Sequence, residues 1–102
     1  MTRESEEMAK FKPSFKHQRF LRRVKALREA TGNPQTLVAD EIEMNRSSYA
    51  DLETGTKRVD IDKVFQLAEY YEVTVGFLLN GERGDLTETQ KRRIESIFDQ
   101  QL

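Results

Sequence analysis

Gly32 to Gly55 reads GNPQTLVADEIEMNRSSYADLETG, and these 24 residues decide the fold. Asn33-Pro34 announces a helix: a residue able to cap, then a proline where the first turn needs no amide donor. Val38, Ala39 and Ile42 follow at helical spacing, with Met44 just past the end. Asn45 can cap a second helix, over about residues 46–54, with Tyr49 and Leu52 on its inner face and Gly55 as its stop. Helices this short do not hold alone in water, so the pair must pack crosswise against other helices.

Outward from that pair, helical signals continue in both directions. A first helix is expected over about His17 to Ala30, with Phe20, Val24 and Leu27 on one stripe and Leu21 widening it. Asp60 can cap a fourth over Ile61 to Tyr71, whose inner face is Ile61, Val64, Leu67, Ala68 and Tyr71, with Phe65 alongside. Thr74 can cap a fifth carrying Val75, Phe77, Leu78 and Leu79, stopped by Asn80-Gly81. Thr87 and Gln90 form a capping-box pattern ahead of Ile94, Ile97 and Phe98. No useful stretch alternates with period two, so the expectation is all-α.

The chain divides into a flexible arm (1–16), acidic then basic, a helical domain (17–81), and a linker with a C-terminal helix (82–102). Phe11 and Phe15 in the arm are expected to pack on the domain or a partner subunit, and His17 to be solvated at a helix start. The absence of cysteine removes disulfides and thiolate metal sites and fits a reducing cytoplasm. No apolar run approaches the roughly 18 residues that span a membrane, and TRESEE is no signal peptide. No nucleophile constellation, phosphate-cradling glycine loop or metal-ligand cluster is present, so neither an enzyme, a cofactor nor a metal is expected.

A net charge of −1 hides an asymmetry. Lys10 to Arg28 carries eight Lys/Arg and no acid, whereas Gly32 to Gly55 carries five acids against Arg46 alone. Polyanion binding is therefore open, but a basic surface must come largely from the first segment. A crossed helix pair commonly serves to push its second helix into a DNA groove.

Several separated pieces, in register over about Arg23 to Gly81, make the chain resemble the Cro and phage-repressor (XRE-type) helix-turn-helix family. They are Arg23, Val24, Lys25, Leu27 and Arg28; Gln35; Val38-Ala39; Leu52-Glu53 with Gly55; Leu67-Ala68; and VTVGFLLNG from Val73 to Gly81. The resemblance implies a five-helix repressor-like domain, here with a basic N-terminal arm and an extra C-terminal helix. It places Arg46, Ser47, Ala50 and Asp51 on the groove-facing side of the third helix. Gln35, Arg23, Lys57 and Arg58 would contact phosphates. Arg28 and Glu53 would form a structural ion pair, costing about 3–5 kcal/mol to break if buried and contributing under about 1 kcal/mol if solvated.

Three departures stand out. Glu43 and Glu72 replace glycines at turns, predicting that one or both turns differ, because a left-handed non-glycine residue costs roughly 1–2 kcal/mol. Asp51 sits on the reading face, where it could accept from cytosine N4, orient Arg46, or mark a surface that has left DNA. The function implied is sequence-specific duplex DNA binding by a small cytoplasmic regulator, a repressor, acting as a homodimer on a roughly palindromic operator. The dimer surface could use an exposed Phe77, the Phe11/Phe15 arm, or the Ile94/Ile97/Phe98 stripe, which could equally pack on its own domain. The competing class is an antitoxin-like interaction module whose tails bind a partner protein.

Overall fold

A computed structural model describes residues 11–99. They form six helices: α1 Phe15–Thr31, α2 Gln35–Glu41, α3 Arg46–Thr54, α4 Ile61–Tyr71, α5 Val75–Asn80 and α6 Glu88–Phe98. No strand occurs among these residues. Residues 1–10 of the expected flexible arm lie outside the described residues.

Local chemistry sets most boundaries. The side chains of Asn45, Asp60 and Thr74 accept from Ser48 N, Asp62 N and Phe77 N, starting α3, α4 and α5. Thr87 and Gln90 close the capping box at α6. Two expectations fail here. α1 starts at Phe15, because Ser14 caps it by accepting from His17 N. Asn33 does not cap α2: Pro34 holds that position without a side-chain bond, and Asn33 Nδ2 donates to Tyr70 Oη at 2.6 Å.

α1 packs against α3, α5 and α6, α2 against α3, and α4 against α5. Their inward side chains, from Phe20 on α1 to Ile94 on α6, make one core. Gly55 ends α3 with φ 78°, a left-handed backbone that favours glycine, and a Cβ there would stand 2.8 Å from Leu21 Cδ1, so the leucine tip would have to shift.

The two glutamates at glycine positions do not change their turns. Glu43 (φ 60°) and Glu72 (φ 55°) are both left-handed. The strain is offset by long side chains reaching from other helices. Lys63 Nζ donates to Ile42 O at 2.6 Å, and Gln66 Nε2 donates to Glu43 Oε1 at 2.9 Å, pinning the α2–α3 turn. Arg93 Nη2 donates to Tyr71 O and Glu72 O at 2.7 and 2.8 Å, joined by Gln90 Nε2 on Glu72 O at 2.6 Å. Cations thus sit at the negative ends of helix dipoles.

The C-terminal helix belongs to the domain. Ile94 is fully buried, which contributes roughly 1.5–3 kcal/mol, and the Phe98 ring meets that of Phe77 edge-on at 5.5 Å. Phe77 is therefore 2% exposed and not the exposed dimer residue expected. Conversely, Ile61 and Phe65 are 55% and 53% exposed, because the first turns of α4 project past the core that Ile61 was expected to join. No helix among the described residues is long and apolar enough to cross a membrane.

Candidate functional site

α3 divides into two faces by its own periodicity. Tyr49, Leu52 and Glu53 turn inward. Arg46 and Ser47 are exposed, and Ala50 and Asp51 half-exposed, on the opposite side. The four residues assigned to base reading thus share one accessible row. Arg46 forms no ion pair among the described residues, so its planar five-donor fork stays available.

The row is held in place from below by Glu53, whose side chain is 3% exposed. It accepts from Arg28 Nε at 2.6 Å and Nη2 at 3.1 Å, Tyr49 Oη at 2.6 Å and Gln35 Nε2 at 3.2 Å. Burial alone would raise the Glu53 carboxyl, but the hydrogen bonds from Arg28, Tyr49 and Gln35 outweigh it and hold the pKa below the usual range. Burial, then the bond to Glu53, pushes the Tyr49 phenol well up. Arg28 also donates to Asn33 O at 3.1 Å, so a single guanidinium joins α1, the α1–α2 loop and α3. This network, with its charges out of water, fixes the angle at which α3 is presented.

Asp51 points along the helix instead of back to its start. Its Oδ2 lies 3.3 Å from Lys57 Nζ and its Oδ1 accepts from Thr56 Oγ1 at 3.3 Å, tying the loop after α3 to the row. It does not orient Arg46. Lys57 is 71% exposed despite that contact, so its charge remains near the surface. The Arg58 guanidinium stacks over the Phe11 ring at 4.8 Å from the centroid. This stack brings the basic arm against the loop, while Pro13 packs beside Gly55.

Two residues assigned to phosphates are engaged elsewhere. Arg23 donates from Nε to Leu78 O at 2.9 Å and from Nη2 to Leu79 O at 3.0 Å, holding the C-terminal end of α5. Gln35 gives its amide to Glu53. Both placements share a cause: half-buried donors satisfy the nearest acceptors inside the fold. His17 is likewise not a solvated helix start. Its ring lies 5.4 Å from Phe11 and 5.9 Å from Phe20.

Lys63 and Gln66, which fix the α2–α3 turn, carried no signal in the sequence. The Tyr49–Glu53 bond did, in its i, i+4 spacing on one helix. Among the described residues no group of acidic or histidine side chains could hold a metal.

A family model described as helix-turn-helix matches residues 24–78. No curated protein and no solved structure matches the chain.

Proposed function

Because the chain belongs to the Cro and phage-repressor (XRE-type) helix-turn-helix family of DNA-binding regulators, we propose that it reads a specific duplex sequence with α3 and acts as a repressor. One observation carries this reading: the outward row Arg46, Ser47, Ala50 and Asp51, set on a helix whose inner face is locked by Glu53. Arg46 can bind guanine O6 and N7 through two donors, and Ser47 can donate or accept. Asp51, with Oδ2 beside Lys57 and Oδ1 bonded by Thr56, keeps further lone-pair capacity to accept from cytosine N4, while Lys57 offsets its charge. The positive end of the α3 dipole falls at Arg46 and adds to the attraction for a polyanion.

Phosphate contacts fall to Lys57 and Arg58, with Lys12 of the adjoining arm and Lys16 in the first turn of α1 as further cations. Arg23 and Gln35 act mainly through the scaffold. Such contacts set register and make affinity depend on salt. One domain of this size presents few base contacts, so a homodimer on a near-palindromic site is the natural route to affinity. Among the exposed large apolar side chains, Phe15 near the basic end and Ile61 and Phe65 on α4 are open for pairing, with Leu37 on α2. The protein works in the cytoplasm as a regulator and not as a catalyst. A second reading, a module for a protein partner, draws on the exposed acids Asp40, Glu41 and Glu43 beside α3, which repel phosphates.

The test is Arg46→Ala. Preference for a selected duplex over its scrambled counterpart, read by fluorescence anisotropy, should fall by about 1–3 kcal/mol while non-specific binding persists. Unchanged discrimination would place base reading elsewhere.

A further inference from the structure

An open groove of about 670 Å³ is lined by the arm, α1, the loop after α3, the start of α4 and the end of α5. Phe20, Val59, Val64 and Leu79 form an apolar floor, and Lys12, Lys16 and Arg58 stand at its edges. None of these three cations is in an ion pair among the described residues. His17 lines the same groove, and its buried Nε2 has no hydrogen-bond partner among the described residues. Phe11, the neighbouring ring, sits on irregular backbone before α1 and stacks under Arg58.

We infer that this groove is a binding site for an amphiphilic organic anion, a carboxylate with an apolar chain. The chain would lie on the apolar floor, and the carboxylate would meet Lys16, Lys12 and Arg58. The volume is within the range of about 300–1,000 Å³ that holds small ligands, and such sites combine apolar walls with a few convergent polar groups. An extended polar surface would favour nucleic acid; a concave apolar one with a cationic rim selects a smaller, two-part ligand. The inference does not rest on base reading by α3.

The full chain should be titrated with decanoate by calorimetry, with butanoate and decyltrimethylammonium as comparisons, and by ¹⁵N–¹H correlation spectra. We expect saturable one-to-one binding of decanoate, at least about tenfold tighter than either comparison, since one lacks apolar surface and the other the negative charge. Amide shifts should cluster at Phe20, Val59, Val64 and Leu79. Lys16→Glu, at an exposed position outside the core, should weaken binding about fivefold or more with the helical spectrum unchanged. No saturable heat, equal affinity for the cationic amphiphile, shifts centred elsewhere, or an unaffected Lys16→Glu would each overturn the inference. So would concentration-dependent shifts at the same amides without decanoate, which would assign the groove to a second copy of the chain.

Discussion

Replacing Glu53 by glutamine tests how the reading helix is held. Glu53→Gln keeps size and shape but removes the charge that four donors converge on. Arg28, with a side chain 14% exposed, would keep its bond to Asn33 O and lose its counter-charge. The new amide nitrogen would also face donors where an oxygen had accepted. Stranding one member of a buried pair costs about 3–5 kcal/mol. Arg28 can hydrate in part, so the lower end, about 3 kcal/mol, is expected. For a domain of this size that corresponds to a fall in Tm of roughly 12–24 °C. Urea and thermal unfolding followed by helical circular dichroism measure both quantities. The double substitution Arg28→Leu with Glu53→Leu should cost less than either single change, because no charge is left unpaired. A loss below about 1 kcal/mol for Glu53→Gln is the size of a solvated pair and would refute the reasoning.

Other expectations follow from the same surface. Asp51→Asn removes a negative charge beside the phosphates and releases Lys57; non-specific duplex affinity should rise about fivefold at low salt. Weaker binding to the selected site would instead show Asp51 accepting from a base. Lys57→Ala with Arg58→Ala should weaken all duplexes alike and reduce the salt slope by about one unit for each lost phosphate contact; an unchanged slope would take the loop off the backbone. Acid should destabilise the fold in two ranges. Burial lowers the His17 pKa from its ordinary 6.5, so the unfolded chain takes the proton first and stability declines as pH drops below 6.5. Glu53 is likewise depressed from 4.5 in the fold, and its contribution is lost as pH falls through that lower value. His17→Gln should remove the upper step in a pH series of urea midpoints, and its persistence would assign that step to another group.

What the sequence showed and what it hid divide along a physical line. Helix starts at Asn45, Asp60, Thr74 and Thr87 are set by a side chain and an amide two or three residues away, so they are legible locally. The Arg28–Glu53 pair, 25 residues apart, came from the resemblance and not from spacing. The uses of Arg23, Lys63 and Arg93 depend on which helix end each reaches, which no local pattern encodes. Arg23 looked available for phosphates; it and the other two are spent on carbonyls. Phe77 seemed exposed because its cover, Phe98, comes from a helix beyond the resemblance. The row Arg46, Ser47, Ala50 and Asp51 came from the resemblance; helical periodicity, with Tyr49 and Leu52 inside, leaves the same positions facing out.

Selection of the full chain on a randomised duplex library at two salt concentrations, with sequencing of what is retained, tests the central claim most directly. The account predicts an enriched, near-palindromic motif whose retention falls steeply between the lower and the higher salt. Absence of any enriched motif at both concentrations would contradict it, and would mean that the row from Arg46 to Asp51 does not read DNA.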